Sequence, residues 1–314
     1  GYAIYATDGG EINVSSSKIY LDGKATGMEI DKANPSQLVA TGAQVYVKSD
    51  DVTVFNLSNV TTPISVATLQ TDLQTASGVT SITPDPGITK YKLATMDGGP
   101  INIDTPISRT DPDPSAGYNY FRRFQVQRGR LNVTKDVTAV MNNAQAADFK
   151  NQVVGLEMNS SKKATTNAEA AINLVGAKIT ADRTDAGDGA VGAFINYGKV
   201  SLDSSSSIDV ENTETTNVND KAVGIYAVNG SEVENDGTIN VGGNQSIGIL
   251  GMAYRMDDSK SPAVPVVDEF GAAALGQGKV TIKNTKRIDV SSGNNTTGIY
   301  ATNNNTSSAV TDHV

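Results

Sequence analysis

A chain of 314 residues is long enough for two compact domains or for one elongated domain, so length alone does not choose between these architectures. Only 38% of the residues are hydrophobic and 5% are aromatic, with no Trp, which is too little bulky apolar material for one thick core but suits a thin, repeated one. The net charge of -9 argues against nucleic-acid binding, because a phosphate backbone repels such a chain, and the absence of Cys excludes disulfides and thiolate metal sites.

Short phrases of Gly followed by aliphatic residues recur along the chain. They are GMEI at Gly27, GLEM at Gly155, GAFI at Gly192, GIYA at Gly224, GILG at Gly248 and GIYA at Gly298. The interval from Gly224 to Gly248 is 24 residues, and so is the interval from Ala3, which takes the place of Gly, to Gly27. We therefore predict a structural repeat of 24 residues, with the longer interval from Gly248 to Gly298 as one repeat that carries an insertion.

Two apolar pairs at i and i+2, separated by a turn, follow in most repeats. The pairs begin at Ile12 and Ile19, Val45 and Val52, Leu131 and Val137, Ile172 and Ile179, Val200 and Ile208, Val233 and Ile239, and Val280 and Ile288. This alternation is strand periodicity, so each unit is predicted to hold three short strands, with turns such as Asp97-Gly98-Gly99 and Asn235-Asp236-Gly237. One unit cannot bury its apolar side alone, and stacking on its neighbours predicts an all-β fold, a parallel β-helix of about eight coils.

The predicted β-helix is interrupted in three places. Coils are expected over residues 1–58 and again over 91–314, with an interruption at 59–90 in which residues 65–76 have the apolar spacing of a short helix. Loop excursions are predicted at 109–130 and 253–276. Between the paired apolar residues the outward position is often Asn, at Asn13, Asn102, Asn132, Asn173 and Asn240. These residues are either plain polar surface positions or rungs of amide ladders.

The excursions are the predicted contact sites, because a rigid scaffold usually places its function on loops. The first excursion interleaves aromatic and arginine residues, and its candidate partner-binding residues are Tyr118, Tyr120, Phe121, Arg122, Arg123, Arg128 and Arg130. Tyr254 and Arg255 are the candidates in the second excursion. Arg beside aromatic side chains suits an acidic glycan or a protein hot spot. The competing interpretation makes Phe124 and Val126 part of another coil strand, with the arginines paired to nearby Asp residues.

Signals of catalysis are weak, and no catalytic residue, cofactor or metal site is predicted. Asp50-Asp51 and Asp257-Asp258 are adjacent pairs, whose side chains point to opposite faces of a strand, and the single His is His313. The calcium-binding nonapeptide of some β-helices, the phosphate loop and the nucleophile elbow are all missing from the sequence. No apolar run approaches the length of a membrane-spanning helix.

Three stretches carry a resemblance to a known family: GIYAVNGSEVENDGTINVGGNQSIGILG, RIDVSSGNNTTGIYATNNNT and YNYFRRFQVQRGRLNV. They resemble the passenger regions of the large fusobacterial type V autotransporter adhesins, the RadD-like family. This resemblance implies a right-handed β-helix at the bacterial cell surface, anchored in the outer membrane only through a C-terminal barrel that this sequence does not contain. We expect the sequence to be a fragment of such a parent, whose signal peptide is also absent.

The resemblance implies attachment to other bacteria or to host cells through a glycan or protein receptor. It transfers no binding residue, because no short motif fixes one. We expect a monomeric rod that is not an enzyme, and two alternatives stay open: a β-helical carbohydrate-active lyase or hydrolase, and a passive structural stalk. An enzyme is expected to show an acidic groove along several stacked coils, an adhesin to bind through its excursions, and a stalk to bind nothing.

Overall fold

The computed structural model describes residues 2–5, 10–31, 37–58, 64–65, 78–88, 91–104, 106–111, 124–141, 153–159, 170–183, 189–196, 198–212, 222–252, 256–257, 264–265, 280–290 and 293–302. Within these ranges every regular element is a β-strand, so the predicted all-β class is confirmed for this part of the chain. The described part contains no helix with the length and apolar character that a membrane crossing requires.

The described strands are short, and most hold three to seven residues. The first fourteen are β1 (Tyr2–Ile4), β2 (Glu11–Asn13), β3 (Lys18–Leu21), β4 (Thr26–Asp31), β5 (Gln37–Val39), β6 (Gln44–Val47), β7 (Thr53–Ser58), β8 (Ile64–Ser65), β9 (Ser81–Pro84), β10 (Lys92–Ile103), β11 (Ile107–Asp111), β12 (Phe124–Val133), β13 (Val137–Met141) and β14 (Val153–Asn159). The remainder are β15 (Ala170–Leu174), β16 (Lys178–Arg183), β17 (Ala190–Asn196), β18 (Lys199–Leu202), β19 (Ser207–Asn212), β20 (Ala222–Val228), β21 (Glu232–Asn235), β22 (Thr238–Gly242), β23 (Ile247–Met252), β24 (Met256–Asp257), β25 (Val264–Pro265), β26 (Thr281–Asn284), β27 (Ile288–Asp289) and β28 (Thr297–Thr302).

These strands form long parallel sheets in which each strand pairs with its equivalent from the next repeat. The sheets have the orders β1-β4-β7-β10-β12-β15-β18-β21-β26, β11-β13-β16-β19-β22-β27, β14-β17-β20-β23-β28, β3-β6-β9 and β2-β5, with β8 also paired to β10. Three strand positions therefore recur in chain order, which we call first, second and third. For example, β20, β21 and β22 occupy the three positions of one repeat, and β17, β18 and β19 those of the repeat before it.

The register confirms the predicted period at both ends of the chain. Tyr2 pairs with Thr26 and Val223 pairs with Ile247, and each pair is 24 residues apart. Ile249 pairs with Ile299, so the 50-residue interval is one repeat with an insertion, as predicted. Counted by their strands, the described residues form nine successive repeats, and β28 opens a tenth.

One predicted turn is wrong. Asp97-Gly98-Gly99 lies inside β10, which runs without a break from the first strand position into the second. Its pairing with β12 shifts register between Met96 and Asp97 and again between Asp97 and Pro100. The irregular register accommodates the glycines as a bulge within the strand, because a Gly in a strand permits a local kink without ending it.

The predicted interruptions are narrower than expected, because their ends belong to the stack. Within 59–90, β9 pairs in parallel with β6, and β8, which includes Ser65, pairs with β10. Residues 66–76 of the predicted helix lie outside the described residues. Within 109–130, β11 extends to Asp111 and β12 begins at Phe124. Within 253–276, β24 and β25 pair antiparallel, unlike the strands of the stack.

A continuous aliphatic core runs through the stack. The inward residues of the third-position strands are fully buried from one end to the other, as Val45, Ile179 and Ile239 show with 0% exposure. Burial alternates along these strands, with every second side chain directed outward. The core is thin but repeated, which is what the low content of large apolar residues predicted.

The recurring Gly allows the first-position strands to approach the third-position strands. A Cβ atom on Gly224 would lie 2.5 Å from the Ile239 Cγ2 atom and 2.5 Å from the Gly248 carbonyl oxygen. Gly155 faces Ile179 in the same way. Gly is required at these positions because the space of a side chain is already taken by an isoleucine of the same repeat and by the backbone of a neighbouring one.

The first-position strands of the later repeats are buried on their outer face too. Val191, Val223, Ile247 and Leu250 form, with Phe194 and Val228, a second hydrophobic cluster separate from the main core. The rings of Phe194 and Tyr226, which are cross-strand partners, meet edge to face with centroids 5.4 Å apart. This burial on both faces explains why these strands read as continuous apolar runs in the sequence, whereas the third-position strands alternate.

Candidate functional site

The structure gives only a partial view of the predicted contact residues. Tyr118, Tyr120, Phe121, Arg122, Arg123, Tyr254 and Arg255 lie outside the described residues. Arg128 and Arg130 lie in β12, where their backbones pair with Asp97 and Pro100 of β10. The Arg130 side chain is exposed. Arg128 and Arg130 therefore belong to a strand of the stack and not to a loop, as the competing interpretation expected of this end of the segment.

Two outward surfaces stand out, and both are built on third-position strands. The first, which we call the tyrosine patch, consists of Lys18, Tyr20, Gln44, Tyr46, Lys48, Ser81, Thr83 and Asp85 on or beside β3, β6 and β9. The second, which we call the acidic groove, is lined by Lys178, Thr180, Asp182, Asp209, Val210, Glu211, Asn240, Val241, Gly242 and Asp289 on β16, β19, β22 and β27. Neither surface was singled out from the sequence.

Two stacked rings form the centre of the tyrosine patch. Tyr20 and Tyr46 are register partners, and their ring centroids are 4.9 Å apart with the ring planes 15° from parallel. Tyr20 is 59% exposed, which is unusual for a large aromatic side chain. The Tyr46 hydroxyl donates a hydrogen bond to the Gln44 carboxamide oxygen at 3.1 Å, which fixes the orientation of its ring.

An ion pair borders the rings. The Lys48 ammonium lies 2.8 Å from a carboxylate oxygen of Asp85 and 5.6 Å from the centre of the Tyr20 ring. The hydrogen bond to Asp85 raises the pKa of Lys48 above its usual value. The patch therefore combines flat apolar area with hydrogen-bonding groups whose charges are locally balanced.

The acidic groove is an open cavity of about 430 Å³ that crosses four neighbouring strands. Four of its lining side chains are carboxylates, namely Asp182, Asp209, Glu211 and Asp289. The central one, Asp209, bonds to the Lys178 ammonium at 2.5 Å and accepts a hydrogen bond from the Asn240 amide at 2.7 Å. At the end of the groove Asp289 pairs with Arg287. The groove thus offers mainly hydrogen-bond acceptors, interleaved with a few donors.

Asp182 is the most perturbed carboxyl group of the groove. Partial burial raises the pKa of Asp182, and the neighbouring charge of Glu211, its register partner on β19, raises it further. Its Oδ1 atom is buried and has no hydrogen-bond partner among the described residues. Two adjacent carboxyl groups with unequal environments are a feature of acid–base sites as well as of polar surfaces.

Amide ladders cross the second-position strands. The Asn132 amide donates to the Asn102 carbonyl oxygen at 3.1 Å, and the Asn173 amide donates to Asn132 at 3.2 Å. Ser201 continues this column with a hydrogen bond to Asn173 at 2.9 Å. The ladder interpretation is therefore confirmed for these three asparagines. Asn240 instead bonds to Asp209, and Asn13 accepts a local hydrogen bond from the Ser15 backbone.

The described residues include no group of three or more His, Asp or Glu side chains placed to share a metal ion. The signal for both surfaces was present in the sequence, since Tyr20, Tyr46, Thr180 and Asp209 each lie between two inward aliphatic residues. What the sequence lacked was the register that makes residues 26 to 31 positions apart direct neighbours. No protein-family model matches the chain, and neither the curated proteins nor the solved structures that we compared gave a match.

Proposed function

We propose that this chain is a passenger fragment of a bacterial surface adhesin, folded as a right-handed parallel β-helix with about 24 residues and three strands per coil. The proposal is supported by one observation above all, the regular parallel register that links equivalent strands from β1 to β28. Such a stack is a monomeric rod with long outward columns, and its surface chemistry changes along its length without any change in the core.

The proposed location is the bacterial cell surface, and the proposed partner is a glycan or protein receptor on a host cell or on another bacterium. The net charge of -9 favours such a partner over nucleic acid. The tyrosine patch supplies an exposed aromatic surface beside hydrogen-bonding groups, which is the composition of binding hot spots. We propose no catalytic role and no cofactor.

The direct test is attachment of the purified, fluorescently labelled fragment to partner bacteria and to epithelial cells. We expect saturable binding that unlabelled fragment displaces and that heat-denatured fragment does not show. Binding that is absent at every concentration below aggregation would contradict the adhesin proposal and favour a passive stalk for this part of the parent.

A carbohydrate-active lyase or hydrolase is the second candidate, because the acidic groove crosses several stacked strands as expected of such an enzyme. Asp182 and Glu211 are the carboxyl groups best placed for acid–base work, since they are register partners with unequal environments. Incubation with pectin, hyaluronan and mucin tests this candidate. Release of reducing sugar by the wild-type fragment, abolished in Asp182→Asn and Glu211→Gln, would replace our proposal with the enzyme.

A further inference from the structure

The aromatic column of the tyrosine patch ends one strand short. The 4.9 Å between the Tyr20 and Tyr46 centroids matches the spacing of neighbouring parallel strands, about 4.8 Å, so each strand adds one ring to the column. On the other side of Tyr46 its register partner is Thr83, whose side chain is small and exposed. A notch therefore lies above Thr83, with one face of the Tyr46 ring as its wall.

Hydrogen-bonding groups surround this notch on both sides. Ser81, on the same strand as Thr83, and Gln44, which holds the Tyr46 hydroxyl, lie on one side. The Lys48–Asp85 ion pair lies on the other side, and Asp85 directly follows the strand that carries Thr83. The bottom is rigid, because Val45 and Val47 beneath it are fully buried in the core.

We propose that this notch binds an uncharged pyranose ring of a glycan, with the C–H face of the sugar stacked on Tyr46. This inference rests on the proposed adhesin function and names the chemical class of its receptor. A pyranose is a flat ring of about the thickness of one aromatic rung, with an apolar C–H face that suits the negative face of a tyrosine ring. Its equatorial hydroxyl groups meet donors and acceptors on both sides of the notch.

The charge balance of the notch favours a neutral sugar over an acidic one. Lys48 and Asp85 neutralise each other at 2.8 Å, so the wall presents no net positive charge to a carboxylate. A sialic or uronic acid would meet the Asp85 carboxylate without a free cation beside it on that wall. An uncharged ring can accept hydrogen bonds from Lys48 and donate them to Asp85 without breaking the pair.

The experiment fills the notch with the missing ring. Thr83→Tyr extends the aromatic column over the space proposed for the sugar, and Thr138→Tyr is the matched control, at the equivalent outward position of β13. The probes are the methyl glycosides of glucose, galactose and N-acetylglucosamine, with 3′-sialyllactose as the acidic comparison, and saturation-transfer NMR measures their binding. We expect a neutral glycoside to bind the wild type and Thr138→Tyr, and its affinity for Thr83→Tyr to fall at least about tenfold.

Tyr46 variants keep the test decisive if Thr83→Tyr misfolds. Tyr46→Phe keeps the stacking face and should keep the binding, whereas Tyr46→Ala should lose it, with melting temperatures recorded for each variant. Unchanged affinity in Thr83→Tyr and Tyr46→Ala, or a preference for the sialylated probe, would overturn the inference. Attachment to cells without any binding of neutral sugar, or binding of a protein receptor alone, would overturn it as well but leave the adhesin function standing. Loss of attachment to all cells would defeat the adhesin function itself.

Discussion

The tyrosine patch and the acidic groove occupy the same strand position at opposite ends of the described stack, yet they share almost nothing on their outer sides. Beneath both surfaces the inward side chains are interchangeable aliphatic residues, Val45 in one and Ile239 in the other, and both have 0% exposure. Above them one surface carries stacked phenol rings, whereas the other carries carboxylates and amides. The inward column is constrained by packing at every repeat, while the outward column meets only water and its own neighbours.

The first way to break this comparison is to charge the shared core at each end. Val45→Asp and Ile239→Asp each place a carboxylate among fully buried aliphatic side chains. Each should lower the free energy of unfolding by several kcal/mol, on the order of 3 to 5, because a buried charge without a partner is strongly unfavourable. Thermal denaturation followed by circular dichroism measures the loss.

The matched controls are Gln44→Asp and Asn240→Asp, which change outward residues next to the same core positions. They should leave the melting temperature within a few degrees of the wild type, because surface substitutions are usually within about 0.5 kcal/mol. Equal melting of Ile239→Asp and the wild type would mean that the two regions do not share one core.

The core was legible from the sequence because packing repeats its demands. The 24-residue intervals at Gly27 and at Gly248 identified true register partners, and the alternation of buried residues identified strands. The phase was harder to read. Val45 and Val52, taken as two strands of one unit, lie on either side of a repeat boundary, since β6 is a third-position strand and β7 a first-position strand. Turns of two to six residues look alike in sequence whether they lie inside a repeat or between repeats.

The outer surfaces could not be predicted in the same way. Tyr20 and Tyr46 are separated by 26 positions, and only the register makes them a stacked pair. The acidic groove gathers single carboxylates from separate repeats, such as Asp209 and Asp289, which no local motif connects. Attention fell on Tyr118 to Arg130 because aromatic and basic residues were close together in the sequence. Proximity in space follows the stack, and proximity in sequence does not reveal it.

The second prediction asks whether the Gly column is a feature of the packing or of the chain's flexibility. Gly224→Ala puts a methyl group 2.5 Å from both Ile239 and the Gly248 carbonyl, so the strand must shift. We expect a loss of about 1 to 3 kcal/mol in the free energy of unfolding, typical of overpacking. The control is Gly298→Ala, because an added Cβ there meets nothing within 4 Å. If both variants lost the same stability, backbone entropy and not packing would explain the glycine.

The third prediction tests whether contact lies outside both compared surfaces, at the arginines first expected to bind. Replacement of Arg122 and Arg123 by Ala should weaken cell attachment about tenfold, or 1.4 kcal/mol, because Arg beside aromatics offers directed, charge-assisted donors. The melting temperature should hardly change. Lys135→Ala with Lys286→Ala removes the same charge at two exposed positions and controls for net charge. A fall in melting temperature without a separate loss of attachment would show that the arginines brace the fold.

The smallest expected effect concerns pH, and it separates the strained carboxyl group of the acidic groove from a well-satisfied one nearby. Burial and then Glu211 raise the pKa of Asp182, so the stability tied to its protonated form is present below the unfolded value of 3.8 and is lost as pH rises through the folded pKa. The hydroxyl of Ser206, followed by further hydrogen bonds, lowers the pKa of Asp203, so its contribution is present above 3.8 and is lost as pH falls through the folded pKa. At pH 7, Asp182→Asn should therefore raise the melting temperature and Asp203→Asn should lower it. Each change should stay within about 1 kcal/mol because solvent screens both groups. Both differences from the wild type should shrink in melts recorded near pH 3. A destabilised Asp182→Asn at neutral pH would mean that this carboxylate has a partner that stabilises its charge, and the acidic groove would then resemble the balanced tyrosine patch.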